Sequence, residues 1–165
     1  MASYVLYLNS IDKISGLNNN AVYNVEWASF LPYNVKQYKM NFNFLSNGGN
    51  YKDNGATPIF YSSAKIYLDF ICHTNSYDTS NGSLSKLIGV ISRDVQSTTT
   101  SSNYFSCFNG YNVSKTINAP TQNLFTVSIY NTISNALLTN TDAANPSVPT
   151  ADMTAYILMI EFTPI

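Results

Sequence analysis

Apolar and polar residues alternate with a period of two along most of this chain, the pattern of a half-buried β-strand and not of a helix. Tyr38, Met40, Phe42 and Phe44 share one face of a predicted strand, with Lys39, Asn41 and Asn43 on the other. The same period groups Tyr23, Val25 and Trp27; Ile66, Leu68, Phe70 and Cys72; Phe125, Val127 and Ile129; and Tyr156, Leu158, Ile160 and Phe162. Shorter candidates run from Tyr4 to Leu8, Leu87 to Ser92, Tyr104 to Phe108 and Val113 to Ile117. Between them lie stretches rich in Asn, Gly, Asp and Ser, which tolerate left-handed backbone or bond back to it: Ser46 to Asn50, Asp53 to Gly55, Thr74 to Ser83, Ser97 to Asn103 and Thr139 to Thr150. No window of helical period reaches a useful length, Ile133 to Leu138 coming nearest. The expectation is an all-β chain, one domain over residues 1–165, folded as an antiparallel two-sheet sandwich. Long, irregular connections fit a single jelly roll of about eight strands with long end loops better than an up-and-down barrel.

Charge decides how such a sandwich meets its surroundings. Asp, Glu, Lys and Arg make up 10% of the residues and aromatics 14%, with 13 tyrosines, where a globular chain carries roughly 25% charge. The exterior must therefore be built from Asn, Ser, Thr and Tyr. The aromatic content excludes a disordered chain, and no apolar run of roughly 20 residues is present for a membrane helix. A formal net charge of −1 leaves little electrostatic repulsion between copies, which points to assembly or recognition. The eight basic residues are scattered and none follows Lys115, so the electrostatic footprint of a nucleic-acid binder is missing. Met1-Ala-Ser-Tyr4 lacks the features of a secretion signal, and Ala2 stands where myristoylation needs glycine, so cytoplasmic synthesis is expected. In that compartment Cys72 and Cys107 are expected as free thiols, and the sequons at Asn81 and Asn112 as unmodified coincidences of composition.

Signals for catalysis are sparse. His73 is the only histidine, which removes every metal site needing two imidazoles, and Cys72 beside it points to the opposite strand face. The acidic residues are dispersed, and Glu26 and Glu161 lie opposite their strands' apolar strips, where a solvated or interface carboxylate is expected. Asp53-Asn54-Gly55 and Gly48-Gly49 read as turns, not as calcium or phosphate loops. The chain is therefore not expected to be an enzyme, nor to carry a metal or cofactor. Arg93, the only arginine, closes a predicted strand with Asp94 ahead of the Thr98 to Asn103 loop. Two roles fit it: a strand-end residue bonding loop carbonyls, or a bidentate fork to a carboxylate of another subunit. Trp27 and Tyr23 are expected in the core. Tyr51, Tyr77, Tyr104 and Tyr111 lie within or beside Gly/Asn/Ser loops and are either recognition side chains or ordinary loop packing.

Three stretches together resemble small single jelly-roll proteins of large eukaryotic DNA viruses, which serve as penton or minor capsid proteins. They are Tyr4-Val-Leu-Tyr-Leu-Asn-Ser-Ile-Asp12 with Ser15-Gly-Leu-Asn-Asn-Asn20, Ile91-Ser-Arg-Asp-Val-Gln-Ser97, and Asp152-Met-Thr-Ala-Tyr156 running into Ile160-Glu-Phe-Thr-Pro-Ile165. The resemblance implies a virion protein that forms a homo-oligomer, a pentamer or else a trimer, beside neighbouring capsid proteins, with no catalytic residue. Arg93, Asp94, Thr98 and Asn103 would then lie at subunit contacts. The other function to weigh is a glycan- or receptor-binding sandwich that uses Tyr51, Tyr77, Tyr104 and Tyr111.

Overall fold

A computed structural model describes residues 2–49, 51, 63–70, 77–79, 83–84, 86–94, 104–106, 114–140 and 150–165. Its strands, in chain order, are β1 (Tyr4–Asn9), β2 (Ser15–Leu17), β3 (Asn20–Asn24), β4 (Gln37–Ser46), β5 (Ser63–Leu68), β6 (Tyr77–Asp78), β7 (Ser83–Leu84), β8 (Leu87–Asp94), β9 (Tyr104–Ser106), β10 (Lys115–Asn118), β11 (Leu124–Asn131) and β12 (Tyr156–Pro164). Every pairing among them is antiparallel. One layer has the order β1-β12-β4-β10 and the other β2-β3-β11-β5-β8. Short β9 joins the two edges, pairing Ser106 with Leu45 of β4 and Phe105 with Arg93 of β8. Strands β6 and β7 form a separate small hairpin.

From β1 to β12 the long strands cross repeatedly between layers, and first and last strands end side by side over six residue pairs, Tyr4↔Phe162 to Asn9↔Ile157. This is the jelly-roll arrangement expected from the alternation, with β1, β3, β4, β5, β8, β10, β11 and β12 as its eight main strands and β2 extending one edge.

The core is the set of inward positions that the alternation marks. Tyr38, Met40, Phe42 and Phe44 of β4, Phe125, Val127 and Ile129 of β11, and Tyr156, Leu158, Ile160 and Phe162 of β12 are all buried. The layers meet through aromatic contacts. The Trp27 ring lies 5.0 Å from Phe70, 5.7 Å from Phe125 and 5.8 Å from Phe162, centroid to centroid, and so touches both sheets. Elsewhere the Tyr23 hydroxyl of β3 donates to the Tyr156 hydroxyl of β12 at 3.2 Å.

Two expected strands stop early. β3 ends at Asn24, and Trp27 opens a one-turn helix, α1 (Trp27–Phe30), where a continuous strand was expected. The Val25 amide bonds the Asn123 carbonyl and the Leu31 amide closes the turn on Trp27, before Pro32 ends it. β5 ends at Leu68: Asp69 still donates its amide to the Thr126 carbonyl at 3.3 Å, but its carboxylate accepts from the Thr126 amide at 2.6 Å, the bond that its carbonyl would make in a continuing ladder. Trp27 and Phe70 are nonetheless buried. Ile133 to Leu138 is not helical: Asn131 Oδ1 accepts from the amides of Ile133 and Ser134, and Asn135 takes a left-handed φ of 57°. A side chain that caps a turn this way competes with helix formation.

Gly89 of β8 lies under Phe42, and a Cβ placed there would come within 2.3 Å of the ring. Gly89→Ala should therefore destabilise the fold by about 1–3 kcal/mol through overpacking between the sheets. Urea unfolding of the two proteins measures this, and an unchanged midpoint would show that the layers separate more easily than this contact requires.

Candidate interaction sites

The first candidate site is a clamp between the β2–β3 turn and the entry to β12. Gly16 turns the chain with a φ of 82°, and a Cβ there would meet the Asn20 carbonyl at 2.2 Å. The turn presents the amides of Asn18 and Asn19 to Asp152, whose carboxylate accepts them at 2.9 and 3.0 Å and its neighbour Met153 at 2.7 Å. Asn18 Nδ2 donates to the Met153 carbonyl, and buried Asn19 donates to the carbonyls of Leu138 and Ala151. Lys13 Nζ closes the cluster by donating to the Ser10 carbonyl and Asn18 Oδ1. The carboxylate and ammonium are thus both occupied in holding backbone, the chemistry of a structural staple. Two stretches far apart in the sequence, Ser15 to Asn20 and Asp152 to Tyr156, meet here.

Tyr51 corrects an expectation. It is fully buried, not an exposed loop side chain, and its hydroxyl accepts from the Thr154 amide at 3.1 Å and bonds the Thr154 hydroxyl. Its place is in the packing that supports the clamp, so it is removed from the recognition residues. Arg93 pairs in register with Phe105, and its side chain falls on the inward side of β8 with Gly89 and Ile91. It is half-buried, and desolvation lowers its pKa from the ordinary value. Asp94 pairs with Tyr104 in the same ladder, and Tyr77 lies in β6; for these three the backbone position alone is described. Thr98, Asn103 and Tyr111, together with Cys72, His73, Cys107 and the Asp53 turn, lie outside the described residues.

The outer face of the β1-β12-β4-β10 layer was not anticipated. Register sets Asn9, Ile157 and Leu45 in one row, Tyr7, Met159 and Asn43 in the next, and Val5, Glu161 and Asn41 in a third. Val5, Tyr7, Leu45 and Ile157 are exposed there, Tyr7 by 66%. Among the described outward positions of these four strands, Lys39 and Glu161 are the only charges. The signal was in the sequence: Tyr4-Val-Leu-Tyr-Leu8 and Tyr156-Ile-Leu-Met-Ile160 are apolar at every position, so both faces of each strand are apolar. Uninterrupted apolar runs are the mark of strands covered on both sides.

A groove at one end of the sandwich forms a further site. It lies between the α1–β4 connection and the β10–β11 connection, has a volume of about 710 Å³ and includes Tyr33, Lys36, Glu26, Asn118 and Asn123 in its lining. Among the described residues no three His, Cys, Asp or Glu side chains gather to hold a metal ion, and no helix is long and apolar enough to cross a membrane.

No family model and no curated protein sequence matches the chain. The strand order alone defines the single jelly roll, and a fold shared by many functions does not by itself assign one.

Two tests follow from these environments. Asp152→Ala should cost about 2–4 kcal/mol, because three amides lose a charged acceptor, measured as a lower denaturant midpoint at unchanged slope. Burial raises the pKa of Tyr23, Tyr51 and Tyr156, since the phenolate would be desolvated. The unfolded chain then loses these protons at about pH 10 while the folded chain retains them, so this contribution to stability is complete below about pH 10 and lost as pH rises further. The melting temperature should fall steeply above about pH 10, and less steeply in Tyr156→Phe; a flat profile would contradict the burial of these hydroxyls.

Proposed function

We propose that this protein is a structural subunit of a virion: a single jelly-roll capsid protein, at a vertex or minor position, that self-associates into a symmetric capsomer. The observation that carries the proposal is the outer face of β1 and β12. These neighbouring strands are apolar on both sides, one side filling the core and the other carrying Val5, Tyr7 and Ile157 into solvent beside Leu45 of β4. A contiguous apolar area of this kind is unfavourable in an isolated molecule and favourable when another surface excludes water from it.

The occupant we assign is a second copy of this chain. The face carries one carboxylate and one ammonium among its described outward positions, so apposed copies meet little repulsion. The chain's net charge of −1 adds almost none at longer range. A ring built from a single chain needs one surface to meet a different surface of its neighbour, and β1 and β2, which end the strand order with no further neighbour among the described residues, offer such a pair. The resemblance of the stretches Tyr4 to Asp12 with Ser15 to Asn20, Ile91 to Ser97, and Asp152 to Ile165 to viral single jelly rolls agrees with this reading and suggests the virion as the setting. Synthesis in the cytoplasm and assembly beside neighbouring capsid proteins belong to the same proposal.

Light scattering after size exclusion, across protein concentration and salt, tests it. The expected mass is that of a closed homo-oligomer, five chains for a vertex capsomer or three for a pseudo-hexagonal one. The double variant Tyr7→Asp, Ile157→Asp should run as a monomer with an unchanged β-type circular dichroism spectrum. A wild-type protein that stays monomeric at every concentration would overturn self-association, and a variant that keeps the oligomer mass would remove this face from it.

A further inference from the structure

We propose that the groove between the α1–β4 and β10–β11 connections binds a neutral saccharide. Its floor is rigid. Trp27 and Leu31 are buried beneath it, and the indole N–H donates to the Gln122 carbonyl at 2.9 Å. The walls are tied by backbone, with Val25 bonded to Asn123 at 2.9 Å and Ala119 to Lys36 at 2.8 Å. A groove held on both sides in this way needs little ordering when a ligand enters, and about 710 Å³ is room for a short oligosaccharide.

The lining identifies the ligand class. Tyr33 is 92% exposed, so both its ring and its hydroxyl face solvent. A sugar ring offers an apolar C–H face that packs on an aromatic ring and an edge of hydroxyls that each donate and accept. The groove matches the edge as well. Asn118 Oδ1 accepts from Gln37 at 3.3 Å, which leaves the Asn118 amide N–H groups to donate; Asn123 Nδ2 donates to Glu26 at 3.5 Å, which leaves the Asn123 oxygen to accept. Glu26 and Lys36 supply one charge of each sign, so the site lacks the positive excess that a phosphate, a sulfated glycan or a nucleic acid requires. An apolar ligand would desolvate these polar groups without replacing their hydrogen bonds.

These residues differ from the loop tyrosines that the sequence singled out, and they lie apart from the apolar rows of β1 and β12. The inference does not depend on capsid assembly, and its readout is separate from the mass measurement.

Saturation-transfer difference NMR on the full chain, with lactose, mannotriose and triacetylchitotriose as probes, tests the site. The expected result is transfer to the ring C–H protons of at least one of the three. Tyr33→Ala, a change at a side chain with almost no packing in the fold, should weaken that binding about tenfold, the scale of one aromatic contact. Glu26→Gln should weaken it less, because the amide keeps an acceptor for Asn123. Absence of transfer to all three sugars, or binding that Tyr33→Ala leaves unchanged, would each overturn the proposal.

Discussion

The rest of the molecule depends on the contact of Trp27 with both sheets. Its ring packs on Phe70 and Phe125, which belong to the β11 and β5 side, and on Phe162 of β12, while the indole N–H is satisfied by a loop carbonyl. A sandwich of two sheets is held together by the side chains between them, and a large aromatic contributes more buried area there than any aliphatic residue. Because the same residue starts α1, the packing of the core also sets the course of the chain into β4. The groove at that end is a consequence: its floor is the upper surface of the aromatic cluster.

At the opposite side of the chain the same task is done by hydrogen bonds. Asp152 and the two asparagines at 18 and 19 fasten the turn between β2 and β3 to the segment that leads into β12. The Ser10 hydroxyl accepts from the Tyr156 amide at 2.9 Å, joining the end of β1 to the start of β12. First and last strands of the jelly roll are thereby aligned by polar contacts as well as by their own ladder. Exposed Tyr7 and Ile157 come into adjacent rows because of that alignment. The outer apolar face thus rests on the clamp even though none of the clamp residues belongs to it.

A surface with few charges has consequences for both proposed interactions. Dense like charge would oppose apposition of identical copies and would favour anionic or cationic ligands in any groove. Here apolar and amide groups face solvent, and these recognise partners by shape and hydrogen bonding. The assembly proposed for the β1 and β12 face and the saccharide binding proposed for the Tyr33 groove would use different parts of this neutral exterior. One molecule has room for both.

Much of the fold was legible because a strand's side chains alternate between two environments, and the strips of β4, β11 and β12 obey that rule residue by residue. The same rule contained the outer face, in runs where alternation fails and every position is apolar. What periodicity could not reveal was where a ladder stops. Asp69 ends β5 through a side-chain hydrogen bond to a residue 57 positions away, and β3 gives way to the α1 turn at Trp27 although Val25 still bonds the Asn123 carbonyl. Tyr51 carried the composition of a binding loop yet is buried, since its partner Thr154 lies 103 residues further on. The sequence by itself determined the all-β class, the inward strips and the uncharged exterior, all properties of local pattern and composition. Only the tertiary structure decided the clamp at Asp152, the burial of Tyr51 and the groove beside Tyr33, because each is made by side chains and backbone that meet only when the sheets close on one another.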